Sequence, residues 1–117
     1  MQDFRNLLVW QKSHDLVLQV YRSSRDFPRE ESYGLTSQMR RAAISIPSNV
    51  AEGCGRGSDP DFARFLVIAM RSASELEYQL LLSRDLGYLD SITHQSLEEK
   101  IVEIKKMLTS LIQRIRE

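Results

Sequence analysis

The chain has 117 residues, of which 42% are hydrophobic, and its 16 basic and 16 acidic side chains give a formal net charge of zero. A chain of this length forms one domain, residues 1–117, and the neutral balance lacks the basic excess of a dedicated nucleic-acid binder. No apolar run reaches the ~18 residues of a membrane span, and the first residues lack the features of a signal peptide. Because the single Cys54 cannot form an intramolecular disulfide, we expect a cytoplasmic protein.

Few residues break the chain, which has five glycines and three prolines. The breaks fall at Phe27-Pro28, in the segment 53–60 and around Gly87. They divide the chain into four predicted helices, which run from about Val9 to Ser24, Gly34 to Glu52, Pro60 to Leu86 and Ser91 to Arg116. Short loops between successive helices predict an all-α fold, an up-down-up-down antiparallel four-helix bundle.

The second helix continues through a proline. Apolar residues keep helical spacing on both sides of Pro47: Leu35, Met39, Ala42, Ala43, Ile46 and Val50. Pro47 removes the hydrogen bond to the carbonyl of Ala43, which costs roughly 3 kcal/mol inside a helix. We therefore predict that the second helix is kinked at Pro47 and that packing around the kink offsets this cost.

The third and fourth helices each carry an apolar stripe. On the third helix one face collects Phe62, Phe65, Leu66, Ala69, Ala73, Leu76 and Leu80. On the fourth helix a seam with the 3.5-residue period of coiled coils collects Leu97, Ile101, Ile104, Leu108, Leu111 and Ile115. These stripes predict long helices packed side by side around one core.

More apolar residues remain than one bundle needs. The second helix has a further face with Arg40, Ile44, Pro47 and Ala51; the third adds Val67, Tyr78 and Leu81, and the fourth adds Val102 and Ile112. Surplus apolar surface on several helices is typical of an interface. We therefore predict an oligomer interface that includes Ile44, Pro47, Ala51, Val67, Tyr78 and Leu81. The alternative is ordinary scatter of apolar residues over a protein surface.

Two polar residues lie within apolar stripes, Asn49 on the second helix and Glu77 on the third. A buried carboxylate needs hydrogen bonds or a cation, and Arg40 or Arg41 is the candidate partner of Glu77. We favour a buried polar network that fixes helix register over a ligand or catalytic pocket. His14 and His94 lie on different helices, and the glycine-rich loop lacks the residues of a phosphate-binding loop. We therefore expect no catalytic residue, no metal, no cofactor and no small-molecule substrate.

Two blocks of residues are too long and irregular for generic helices. The first lies within FPREESYGLTSQMRRAAISIPSNVAEGCGR from Phe27, and the second is SELE from Ser74. With these blocks the chain resembles, over nearly its whole length, the bacterial four-helix bundle proteins. They are also called ribosomal-RNA intervening-sequence proteins, because some are encoded within insertions in large-subunit ribosomal RNA genes. The resemblance implies an up-and-down bundle, a ring-like homopentamer and no known catalytic activity.

A more distant resemblance concerns accessory proteins of diversity-generating retroelements, which are pentameric bundles thought to bind nucleic acid and a reverse transcriptase through a basic surface. The neutral charge of this chain departs from that pattern. An oligomer could still collect Arg22, Arg25, Arg29, Arg40, Arg41 and Arg56 on one face. We therefore predict a non-enzymatic, self-assembling scaffold or adaptor whose partner is itself, with no membrane partner. The alternative is a nucleic-acid-binding accessory protein that uses those arginines.

Overall fold

The computed structural model describes residues 3–117 and contains four long helices in that range. They are α1 (Leu8–Ser23), α2 (Leu35–Cys54), α3 (Asp59–Asp85) and α4 (Ser91–Arg116). Single 3-10 turns occur at Phe4–Asn6 and Arg29–Glu31, and no strand occurs between residues 3 and 117. The four predicted helices are confirmed, with ends that agree to within one or two residues.

The helices form an antiparallel bundle in which each one packs against its neighbours in the order α1, α2, α3, α4 and back to α1. On α2 and α3, Met39 lies against Ser83 and Ser45 against Ser72, so the two helices run in opposite directions. Within the described chain the diagonal pairs α1–α3 and α2–α4 make no close backbone contact. The predicted up-down-up-down bundle is confirmed. In this square arrangement, the outer face formed by α1 and α2 is opposite the face formed by α3 and α4.

Local sequence signals set the ends of α3 and α4. The hydroxyl of Ser58 accepts a hydrogen bond from the Asp61 backbone N–H at 3.3 Å, and Pro60 occupies the first turn. Gly87, with φ 83°, follows the end of α3 in the left-handed region. Asp90 caps α4 by accepting a bond from the Thr93 backbone N–H at 2.7 Å, and this bond holds the pKa of the Asp90 carboxyl below its ordinary value.

The buried stripe of α4 departs from the predicted 3.5-residue seam in its last turns. Leu97, Ile101, Ile104 and Leu108 are buried as expected, but Leu111 and Ile115 are only half-buried. Ile112, which we had assigned to surplus surface, is buried instead. The seam prediction is wrong there because a straight helix has 3.6 residues per turn, so its buried face drifts away from a strict heptad.

Pro47 lies inside α2, as predicted, and is buried in the chain itself. The bend at Pro47 remains a prediction. On α3 the small residues Ala69 and Ala73 are fully buried, whereas Phe62 and Phe65, which we had placed in the core stripe, are half-buried at its edge. Small residues on the inner face of α3 allow its backbone to approach α2 closely.

None of the helices in residues 3–117 combines the length and the apolar character needed to cross a membrane. The 16-residue α1 is the shortest of the four, and each of the longer helices carries charged side chains as well as apolar ones. Their exposed surface therefore decides what this bundle contacts.

Candidate subunit interface

A patch of arginines and apolar side chains covers the outer face of α1 and α2 at the end of the bundle where α1 stops and α2 starts. We call this patch the arginine face, and it consists of Leu18, Tyr21, Arg22, Arg25, Arg40, Arg41 and Ile44. Helical spacing brings these residues together, since Leu18 and Arg22 are one turn apart on α1, and Arg40 and Ile44 are one turn apart on α2. Leu18, Tyr21 and Ile44 are exposed by 41%, 38% and 41%.

Arg40 is held flat against the last turn of α1. Its Nε donates to the Ser24 hydroxyl at 2.9 Å, and its Nη2 donates to the Tyr21 carbonyl at 3.3 Å. The guanidinium carbon lies 4.5 Å from the centre of the Tyr21 ring, a cation–π distance. These three contacts fix one arginine and one aromatic ring of the arginine face in place. By contrast, Arg22, Arg25 and Arg41 are exposed and make no ion pair within residues 3–117.

The opposite side of the bundle carries a second patch on α3 and α4. We call it the glutamate face, and it consists of Tyr78, Leu81, Glu98, Glu99 and Val102. Tyr78 is 61% exposed and Leu81 is 38% exposed. Glu98 and Glu99 line a groove of about 560 Å³ between the end of α3 and the start of α4, which Arg84, paired with Asp85 at 2.9 Å, also lines. The two patches therefore lie at the same end of the bundle, on opposite sides, and differ in charge.

The structure places the six predicted interface residues in different environments. Ile44, Tyr78 and Leu81 are exposed, and Ala51 and Val67 are half-buried. Pro47 is buried against the rest of its own chain, so it is not part of the surplus surface to which we had assigned it. Whether the other five contact a second copy remains a prediction.

The expected partner of Glu77 is wrong. Glu77 forms an ion pair with Lys105 of α4, with Nζ and Oε1 2.9 Å apart, rather than with Arg40 or Arg41. The reason is the face on which each residue lies, because Glu77 points from α3 towards α4 and Arg40 points from α2 towards α1. Lys105 could be identified as the partner only from the register of α3 against α4, which no local pattern gives.

Asn49 belongs to a separate polar cluster between α2 and α3. Its amide donates to the Ser45 carbonyl at 2.7 Å and to the Ser45 hydroxyl at 3.0 Å, and Ser72 donates to the same hydroxyl at 2.7 Å. The cluster is half-buried, so Asn49 lies at the edge of the core rather than on its inner face. It joins α2 to α3 and is separate from the Glu77–Lys105 pair, and a role in fixing the helix register remains a prediction.

The six predicted arginines do not form one surface. Arg22, Arg25, Arg29, Arg40 and Arg41 lie at the end of the bundle where α1 stops and α2 starts. Arg56 lies two residues beyond the end of α2 at Cys54, and the 14 residues of helix from Arg40 to that end span about 21 Å. Its guanidinium carbon lies 4.7 Å from the ring centre of Phe65, and its Nη2 lies 3.9 Å from a carboxylate oxygen of Glu52.

Sequence reasoning did not select Leu18, Glu98 and Glu99, which fall outside every apolar stripe and basic cluster.

The histidines and the cysteine have structural surroundings. His14 stacks on Trp10 with ring centres 5.0 Å apart, whereas His94 is buried on α4 with its Nε2 3.3 Å from Glu98. Burial raises the pKa of the Cys54 thiol, and the nearby Asp3 carboxylate adds to this shift, so the thiol stays protonated. In the part of the chain that the structure describes, no three His, Cys, Asp or Glu side chains come together as a metal site.

Residues 5–110, nearly the whole chain, match the family described as 23S rRNA-intervening sequence protein. The chain belongs to this family. A solved structure described as a protein with unknown function from the S23 ribosomal protein family, from Bacteroides thetaiotaomicron VPI-5482, superposes with a TM-score of 0.81 at 28% identity. That superposition covers 90% of this chain and 98% of the other chain. The family predicted from the sequence is confirmed, as is its four-helix fold.

A further similarity concerns a much longer protein. Neprilysin from Oryctolagus cuniculus is 31% identical over 121 residues, which cover 92% of this chain. The matched stretch is 16% of neprilysin, so the chain spans a small part of that relative. A match confined to so small a part carries no activity of neprilysin over to this chain.

Proposed function

We propose that this protein is a non-enzymatic scaffold or adaptor that assembles with copies of itself into a ring, with five subunits as the family resemblance implies. The observation that supports assembly is the presence of exposed apolar side chains on two opposite sides of one small bundle. Ile44 and Leu18 are exposed on one side, and Tyr78 and Leu81 on the other. Covering such side chains on both sides requires two neighbours per subunit.

The difference between the two patches favours a ring over a two-fold dimer. An isologous dimer buries the same patch of both copies and needs a self-complementary surface. Here the arginine face and the glutamate face differ in residues and charge, so a contact between them is heterologous. Heterologous contacts propagate from one copy to the next and form a ring when the rotation closes. The non-enzymatic part of the proposal is supported by the family description, which names no reaction.

Light scattering tests the assembly. We expect the wild-type chain to have a solution mass about five times its chain mass of 13.6 kDa. Ile44→Asp should reduce the mass to that of one chain or of short fragments, because it places a carboxylate in a contact that excludes water. Ile44 is 41% exposed in the single subunit, so the helical fold should survive the change, as circular dichroism would verify.

Leu8→Asp is the matched control for Ile44→Asp. Leu8 is 55% exposed at the start of α1, on the side that faces α4, and it lies outside both patches. This variant should keep the wild-type mass. A wild-type protein that is monomeric at micromolar concentrations would overturn the proposed assembly. If the Ile44→Asp variant still assembles, the arginine face is not part of the contact between copies.

Nucleic-acid binding is a second candidate function, favoured by the gathering of exposed arginines without ion pairs at one end of the bundle. We expect the affinity for a structured RNA to fall steeply from low to physiological salt, because each phosphate contact releases counterions. Arg25→Ala and Arg29→Ala should each reduce the salt slope by about 1. Arg56→Ala, at the far end of α2, is the control and should leave the slope unchanged. Absence of binding at low salt would contradict this candidate.

A further inference from the structure

The two patches are oppositely charged at the same height along the bundle. Arg22 lies in the last turn of α1, and Arg25 lies two residues beyond the end of that helix. Arg41 lies in the second turn of α2. Glu98 and Glu99 lie in the first turns of α4. In an up-down-up-down bundle the end of each helix lies beside the start of the next helix. Since α1 and α3 point one way and α2 and α4 point the other, all of these turns are at one end.

We propose that the arginine face of one copy binds the glutamate face of the next copy, with both bundles pointing in the same direction. Arg22, Arg25 and Arg41 would then lie opposite Glu98 and Glu99 of the neighbouring copy, around a centre in which Ile44 and Leu18 are covered by Leu81. This inference rests on the proposed self-assembly and goes beyond it. It names the two surfaces that meet, and it assigns the arginines to a protein partner rather than to nucleic acid.

The apolar centre and the charged edge have different roles in this contact. Burial of Ile44, Leu18 and Leu81 supplies affinity, since the centre of an interface is where water is excluded. Ion pairs at the exposed edge add little net affinity but set orientation and speed association. Arg40, already fixed by Ser24 and Tyr21, presents a rigid surface to the neighbour at no further cost in side-chain entropy.

The charge at the opposite end of α3 and α4 favours a contact in which both copies point the same way. There Arg64, Arg71 and Arg116 outnumber the one carboxylate, that of Asp59, that borders a groove of about 660 Å³. If the neighbouring copy were turned end over end, the arginine face would lie against these three arginines. Like charges brought together across an interface are repelled, which disfavours the reversed pairing. Charge therefore selects the parallel arrangement that a closed ring requires.

Charge reversal on each face tests the inference. In one variant Arg22 and Arg41 become glutamate, and in a second variant Glu98 and Glu99 become arginine. Each variant alone should fall from the wild-type mass to that of one chain, because the reversed side chains then face side chains of the same sign in the neighbouring copy. A chain carrying all four changes should regain the wild-type mass, since the reversed side chains of the two patches again face partners of opposite charge. Light scattering and native mass spectrometry would measure each mass, with circular dichroism to confirm the helical fold.

The matched control reverses two arginines on a side that takes no part in the contact. Arg5 and Arg114 are exposed at the other end of the bundle, near the start of α1 and the end of α4. Arg5→Glu with Arg114→Glu should keep the wild-type mass. This control separates a loss of specific pairing from a general effect of two charge reversals.

The outcomes distinguish failure of this inference from failure of the proposed function. A monomeric wild type overturns both. An assembled wild type whose mass survives either reversal, or whose four-change chain stays dissociated while folded, overturns this inference alone. Reversal of Arg22 and Arg41 could also leave the mass unchanged and abolish binding of structured RNA. In that case the arginine face binds nucleic acid, and the contact proposed between copies is wrong.

Discussion

Replacing Ile104 by alanine is expected to lower the free energy of unfolding by about 3 kcal/mol, within the range for buried isoleucine truncations. Ile104 lies at the middle of α4, has no exposed surface and belongs to the main hydrophobic core. The loss combines the transfer energy of the removed carbons with the cavity that the rigid core leaves unfilled. Urea unfolding at one fixed protein concentration would measure it, because unfolding of an assembled protein depends on concentration.

Ile92→Ala is the control on the same helix. Ile92 is 83% exposed in the first turn of α4, so its truncation removes few contacts and should change the free energy of unfolding by less than about 0.5 kcal/mol. Equal losses for the two variants would mean that the inner and outer faces of α4 are not those of the structure. A small loss for both would show that the core closes around the missing carbons of Ile104.

Gly53→Leu is expected to destabilise the bundle by about 3 kcal/mol or more, at the upper end of overpacking effects. Gly53 is buried near the end of α2, where α3 crosses it closely. A Cβ at Gly53 would lie 2.8 Å from the Phe62 ring, 3.1 Å from the Phe65 Cβ and 3.3 Å from the Phe62 carbonyl. Leucine favours a helix over glycine by about 1 kcal/mol, so the clash must exceed this gain. Thermal and urea unfolding would measure the net effect.

Gly57→Leu is the matched control for this clash. No atom lies within 4 Å of a Cβ built on Gly57, and its φ is not in the left-handed region. Its replacement should therefore change the free energy of unfolding by less than about 0.5 kcal/mol. If Gly53→Leu were as stable as the wild type, α2 and α3 could separate at this point without cost, and the close approach would have no structural role.

The two groups of predictions concern different levels of organisation. Ile104 and Gly53 lie inside one subunit, and their replacement should weaken the fold of each chain. Ile44 and the reversed charges lie on its surface, and their replacement should change the assembly while the helices persist. Measuring both mass and helix content for every variant therefore tells whether a residue acts within the bundle or between bundles.

The positions of the four helices could be predicted from the sequence because the signals that end a helix are local. Ser58 and Pro60 start α3, and Gly87 follows its end, each through a backbone preference or a hydrogen bond that spans a few residues. The same local periodicity identified Leu66, Leu76 and Ile104 as core residues. Short loops then left the up-down-up-down order as the arrangement that connects successive helices.

The tertiary structure alone decided which side of each helix is covered and by what. Glu77 pairs with Lys105, Pro47 is buried within its own chain, and Ile112 replaces Leu111 in the core. None of these follows from spacing along one helix, because they depend on the register and rotation of a helix against its neighbours. Those quantities are set by the packing of the whole core at once, and they also decide that the arginine face and the glutamate face lie on opposite sides at one end of the bundle.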